Sequence, residues 1–155
     1  MRGQIYQVFL GRKLITDFLN MLTILSMVIL DTSFLFALFQ EQDEFHEEAK
    51  QVSLSFDGEL VYFSFLVFQE LMTLAMSRYS SEEAITISRT LLGEKFPAKI
   101  IKLDTDYFEL TNDLFEKLGK HRFSFVDVSL LVLARELDAR IITFDERLQK
   151  ESEKI

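Results

Sequence analysis

The chain predicts an α/β fold: a three-layer α/β/α sandwich with a central parallel sheet. Three observations lead there. Short β-branched and aromatic runs recur at residues 28–30, 61–65, 100–103 and 140–143. Helix-patterned segments of roughly 10–15 residues separate most of them, as crossover connections between parallel strands require. The runs are apolar almost throughout instead of alternating, which is the mark of strands covered on both faces.

The elements follow in order. Residues 28–30 form the first strand and residues 33–39 a helix. Residues 43–55 form a charged amphipathic helix that turns Phe45, Ala49 and Val52 inward. Asp57-Gly58 marks a turn before the strand 61–65, and a helix runs over 66–78. Ser80 or Ser81 caps the next helix. After the strand 100–103, Asp104 or Thr105 caps a helix that runs to about Leu118 and stops at Gly119. Residues 126–137 are nearly all apolar and predict a buried helix. A last strand at 140–143 leads through Asp145 into a short helix.

Two units are expected: an extension at residues 1–26 and a core domain at 27–155. In the extension, Ile5, Val8, Phe9, Ile15, Phe18, Leu19 and Leu22 recur at helical spacing. The segment reads either as an extension helix or as the product of a start codon upstream of the natural start at Met27. Asp17 and Asn20 interrupt its apolar run, so no membrane span is expected. Its basic start and apolar run allow a signal peptide, but no clear small-residue cleavage site follows.

Composition excludes several kinds of chemistry. With no Cys there are no disulfides, thiolate ligands or thiol nucleophile, which is compatible with a reducing cytosol and the expected cytoplasmic location. Only His46 and His121 are available as imidazoles, too few for a His-rich zinc site, and His46 reads as a helix-surface residue. One Pro, five Gly and no GxxxxGK[ST] or GxGxxG leave no phosphate-binding glycine loop. Sixteen Phe, four Tyr and no Trp read as core packing more than as a ligand platform. The net charge of −8 argues against broad nucleic-acid binding unless the acids are loaded with cations.

Four acids occupy places where apolar segments end or turn. Asp31 closes Met27-Val28-Ile29-Leu30, and Glu70 follows the run 61–68. Asp127 sits within Ser124-Phe125-Val126-Asp127-Val128-Ser129-Leu130, and Asp145 ends Ile141-Ile142-Thr143-Phe144. Each has a plain structural explanation. Asp31 and Asp145 make good helix caps, and Glu70 makes an ordinary exposed helix residue. Asp127, among apolar neighbours, needs a cap role, a partner or a metal. Two charges 4 Å apart repel by about 4 kcal/mol at an effective dielectric near 20. Clustered carboxylates therefore point to a bound hard cation, Mg²⁺ or Mn²⁺.

The four motifs, in this order, resemble those of PIN-domain ribonucleases, particularly the VapC toxins of VapBC toxin–antitoxin pairs. Val28-Ile29-Leu30-Asp31-Thr32-Ser33 is similar to their first strand and acid, and Phe65-Leu66-Val67-Phe68-Gln69-Glu70-Leu71 to the second motif. The segment around Asp127 resembles the third, and Ile141-Ile142-Thr143-Phe144-Asp145 the last strand with its Thr-x-Asp ending. The resemblance spans roughly residues 27–150; most members begin almost at the first strand, so residues 1–26 depart from it. It implies endonucleolytic RNA cleavage at a Mg²⁺ or Mn²⁺ site, a homodimer, and a cognate VapB-type antitoxin that wraps the toxin and occludes the acids.

On this reading Asp31 and Asp127 are the central metal ligands, and Glu70 and Asp145 hold a second metal or orient metal-bound water. Thr32, Ser33, Ser124 and Thr143 flank the acids and either bond ligands or serve as caps. Lys120 and Arg122, in the basic cluster with Lys117 and His121, are candidates for the RNA backbone against the alternative of a solvated helix end. Two other functions stay open: a PIN-like binding or scaffold module without turnover, and a metal-dependent phosphatase of another α/β family. The second Asp expected of one large phosphatase group is Ser33 here.

Overall fold

The computed structural model describes residues 26–118 and 121–154. Its order is β1 (Met27–Leu30), α1 (Thr32–Phe39), α2 (His46–Leu54), β2 (Leu60–Ser64), α3 (Phe65–Arg78), α4 (Ser81–Leu91), β3 (Lys99–Ile101), α5 (Thr105–Leu118), α6 (Phe125–Leu137), β4 (Arg140–Ile142) and α7 (Glu146–Ser152). The extension expected at 1–26 falls outside the described residues but for Ser26, as do Gly119 and Lys120.

The four strands are parallel in the order β3-β2-β1-β4. Val28 lies opposite Val61 on one side and Arg140 on the other, and Ile29 lies between Tyr62 and Ile141. β1 is therefore a central strand, and Val28, Ile29 and Leu30 are buried at 1% exposure or less. Helices complete the three-layer α/β/α sandwich that the alternation predicts.

Helix α6 is the buried helix its composition predicts. Val128 through Leu133 are all buried, and the helix packs against β1, β4, α3, α5 and α7. Burying each Leu or Val there contributes about 1.5–3 kcal/mol. Asp138 ends the helix at φ 50°, a left-handed conformation that Asp tolerates, and turns the chain into β4. Gly58, in the expected turn before β2, takes φ 80°, where a side chain would be strained.

Local chemistry starts the helices where the sequence reading puts them, to within a few residues. Ser64 caps α3 through the Val67 N–H and Ser80 caps α4 through the Glu83 N–H. Asp104 accepts from the Tyr107 N–H at the start of α5. One expectation needs correction. His46 is no open surface residue: its side chain is largely buried and its Nδ1 donates to the Ala37 carbonyl oxygen at 2.8 Å, tying α2 to α1. Most of the described Phe residues belong to the core or pack against it, Phe34 and Phe63 fully buried, while Phe65 and Phe108 are about half exposed. No described helix is long and apolar enough to cross a membrane.

Tyr107 is 3% exposed, and its hydroxyl meets no hydrogen-bond partner among the described residues. A buried unsatisfied hydroxyl costs about 1–3 kcal/mol. Tyr107→Phe is therefore expected to raise stability by about 1 kcal/mol in urea denaturation. A loss of stability would show that the hydroxyl is bonded after all.

Candidate active site at the carboxyl edge of the sheet

β1 leads to β2 on one side, while β4 returns to its other side. The carboxyl ends of β1 and β4 thus flank the point where the strand order reverses, the usual place for a site in open parallel sheets. Asp31 follows β1 directly, and its N–H donates to the Ile142 carbonyl at 3.0 Å, extending the β1–β4 ladder into the site.

Asp31 is 4% exposed. Its Oδ2 accepts from the Ser33 hydroxyl at 2.6 Å, the Thr143 hydroxyl at 2.8 Å and the Ser33 N–H at 3.2 Å. Ser33 Oγ in turn accepts from the Phe144 N–H, and Thr143 Oγ1 from the Asp145 N–H, both at 2.9 Å. One carboxylate oxygen therefore joins the start of α1 to the segment after β4.

Glu70 lies in the second turn of α3 and accepts on Oε2 from the Thr32 hydroxyl. Burial pushes its carboxyl above the ordinary range. The Thr32 bond opposes that rise, and the negative charges of Asp31 and Asp127 add to it. Asp127 is the third residue of α6 and forms a capping box with Ser124. The Ser124 N–H donates to Asp127 Oδ2 at 2.7 Å, and the Asp127 N–H donates to Ser124 Oγ at 3.0 Å. Burial raises this carboxyl too, against the Ser124 bonds and with the charges of Asp31 and Asp145.

Asp145 caps α7, its Oδ1 accepting from the Arg147 and Leu148 N–H groups. Burial raises it, but these two bonds and the Arg147 guanidinium outweigh that, so its carboxyl lies below the ordinary range.

All four acids line one open cleft of about 570 Å³, together with Thr32 and Ser33. The plain structural explanations hold as well: Asp31 and Asp145 are N-caps, and Asp127 is half of a capping box. The two roles coincide because strand-to-helix turns at one sheet edge bring helix N-termini together. The partial positive charge of those termini favours carboxylates there, so repulsion alone does not demand a cation. Asp127 is also less buried than its apolar neighbours suggested, because the fully buried part of α6 starts one residue later, at Val128. Asp31 is the buried acid.

The flanking hydroxyl residues all hold acids in place. The Ser33 and Thr143 hydroxyls donate to Asp31 and the Thr32 hydroxyl to Glu70, while Ser124 holds the Asp127 carboxylate through its backbone N–H and accepts from the Asp127 N–H on its hydroxyl. Among the described residues, every hydrogen bond to Asp31, Glu70 and Asp127 falls on a single carboxylate oxygen, leaving Oδ1, Oε1 and Oδ1 available. No three His, Asp or Glu side chains among the described residues are arranged to hold a metal ion by themselves. Arg122 is exposed at φ 61° and does not line the cleft. Asp43, Glu44, Glu146 and Arg78 do line it, and the sequence reading missed them. The spacing of Glu70, Leu74 and Arg78, four residues apart on one helix, is the signal that points to Arg78.

The family model of the PIN domain matches residues 28–154. Among solved structures, the chain is similar to VapC20 of Mycobacterium tuberculosis, described as a sarcin-ricin loop cleaving toxin. The identity is 22% and the TM-score 0.72, over 80% of this chain and 94% of that one. It is similar to VapBC2 of Rickettsia felis bound to a DNA fragment from its promoter, at 13% identity and TM-score 0.62, over 80% and 92% of the two chains. It is also similar to FitAcB of Neisseria gonorrhoeae, at 17% identity and TM-score 0.60, over 82% and 94%. No curated protein matches the sequence.

Two predictions test this geometry. Thr143→Val removes a donor to buried Asp31 and the acceptor of the Asp145 N–H, and is expected to cost about 1–3 kcal/mol in urea denaturation. An unchanged midpoint would mean that the network carries no load. Glu70 has its pKa raised by folding from the ordinary 4.5, so its stabilising contribution is full below that value and is lost as pH rises through the raised one. Glu70→Gln should therefore gain stability relative to wild type between pH 4 and pH 7 without divalent cations. A difference that stays constant across that range would contradict the raised pKa.

Proposed function

The chain belongs to the PIN domain family, and on that premise we propose that it is a metal-dependent endoribonuclease of the VapC toxin kind. One observation supports this above all: acids from four separate segments line a single cleft at the carboxyl edge of the sheet, each held by a neighbouring hydroxyl or helix terminus.

The donor set suits Mg²⁺ or Mn²⁺. It offers hard carboxylate oxygens and no thiol, and His46 spends its Nδ1 on Ala37. Mg²⁺ keeps several waters and needs only one or two carboxylates, which is compatible with no three side chains enclosing a cation unaided. Asp31 and Asp127 would hold the ion, with Glu70 and Asp145 acting through water or at a second ion. When bound, the cation supplies charge neutralisation on the phosphate and on the leaving oxygen.

The chain's own residues do the rest. Ser33 and Thr143 fix Asp31 so that its Oδ1 is presented to the ligand. Ser124 does the same for Asp127, and Thr32 for Glu70. Glu70 caps no helix and keeps Oε1 free of hydrogen bonds, so it would be the group that takes a proton from the attacking water there. The water oxygen bonds to phosphorus as the bond to the leaving ribose oxygen breaks.

A VapB-type antitoxin that covers the acidic cleft, a homodimer and a cytoplasmic location follow from the same reading, as does a nuclease domain at 27–155 with residues 1–26 as an appendage. The alternative is a PIN-like module that binds without turnover, against which the presence of all four acids in one cleft speaks. The phosphatase reading is weaker, since Ser33 stands where a second Asp is needed and its hydroxyl is committed to Asp31.

The test is cleavage of single-stranded RNA with Mn²⁺, with Mg²⁺ and with chelator. Wild type should cut only with metal, and Asp31→Asn and Asp127→Asn should each lose about a hundredfold or more in rate. Asn can cap α1 in place of Asp31 and its side-chain oxygen can accept from the Ser124 N–H in place of Asp127, so the variants should remain folded. Activity that survives both substitutions would falsify the assignment.

A further inference from the structure

The cleft is crowded with negative charge. Asp43, Glu44 and Glu146 join the four central acids along its lining, and among its described residues Arg78 alone carries a positive charge. A polyanion must nevertheless approach this surface.

Arg78 is well placed to receive one. Glu70, Leu74 and Arg78 follow at intervals of four along α3 and all line the cleft. Arg78 closes the helix, eight residues beyond Glu70 and thus about 12 Å farther along the axis. Its guanidinium lies over the Phe36 ring, 5.3 Å from the centroid. That cation–π contact sits against the face of the ring, and among the described residues no hydrogen bond occupies the guanidinium N–H groups of this exposed side chain. Among the described residues Arg78 makes no salt bridge with any of the neighbouring acids, although other arginines of the chain do, Arg140 with Glu59 and Arg147 with Asp145. A planar cation that lines an acidic cleft and makes no salt bridge among the described residues matches a phosphate, whose oxygens pair with guanidinium in bidentate fashion.

We infer that Arg78 is a substrate-binding residue that takes a backbone phosphate of the RNA flanking the scissile bond. The inference rests on the nuclease reading above. The distance from Glu70 assigns Arg78 to a flanking phosphate, and its role is to anchor the strand against the repulsion of the acids.

The test uses a labelled single-stranded RNA of mixed sequence and the full chain. Fluorescence anisotropy in an Asp31→Asn background keeps the probe intact, and affinity is measured over a series of salt concentrations. Arg78→Met keeps an aliphatic stem over Phe36 and removes the charge; Arg78→Lys restores the charge. Arg78→Met is expected to weaken binding about two- to fivefold. It should also make the slope of log K against log salt shallower by about 0.7, the value for one single-strand phosphate contact. Arg78→Lys should recover the slope. In the otherwise wild-type enzyme the same change should raise KM and leave kcat in place.

A wild type that cleaves RNA while Arg78→Met shows unchanged affinity and slope overturns this inference alone. So does a lower melting temperature with an unchanged slope, since that is a packing role. A wild type that neither binds nor cleaves RNA overturns the nuclease reading and this inference with it.

Discussion

The functional edge of the molecule is organised around a single carboxylate oxygen, Asp31 Oδ2. It is buried at the mouth of the central strand and takes three donors from Ser33 and Thr143, which the chain separates by 110 positions. A buried carboxylate without partners is strongly disfavoured, whereas each charge-assisted hydrogen bond is worth about 1.5–3 kcal/mol. Ser33 and Thr143 are therefore constrained to their places, and through them so are the start of α1 and the exit from β4. The segments carrying Glu70 and Asp127 pack around that fixed point: α3 contacts α1, and α6 contacts β1 and β4.

The same turns serve folding and chemistry. Asp31 and Asp145 begin helices, and Asp127 completes a capping box, so three acids are held by backbone N–H groups before any ligand arrives. Glu70 differs. It caps nothing and depends on Thr32 for its position. The environments also separate the acids electrically: Asp145 is pushed down by two N–H groups and Arg147 against its burial, while burial pushes Glu70 and Asp127 up. Acids with opposed shifts in one cleft are the arrangement from which distinct proton roles arise.

Much of this was legible in the chain. The apolar runs marked the strands, and Ser80, Asp104 and Ser124 marked helix starts through local hydrogen bonding that depends on neighbours in sequence. The ordered acids marked the edge. What escaped was long-range. Nothing near Thr32 indicates that its hydroxyl meets a carboxylate 38 residues away, and nothing near His46 indicates the Ala37 carbonyl. The apolar neighbours of Asp127 suggest that they surround it, but a position in the first helical turn leaves one side open to the cleft. Arg78 escaped because its meaning comes from Phe36 and from acids contributed by other segments.

The two outer strands of the sheet, β3 and β4, have three residues each and begin with Lys99 and Arg140. Arg140 is further held by Glu59 across the β1–β2 end of the sheet. An exposed sheet edge invites another chain to add a strand, and short length and a leading cation are the usual deterrents. In a sheet this apolar, two margins that are short and each open on a cation disfavour the addition of a strand from a second copy of the chain once the sheet has formed.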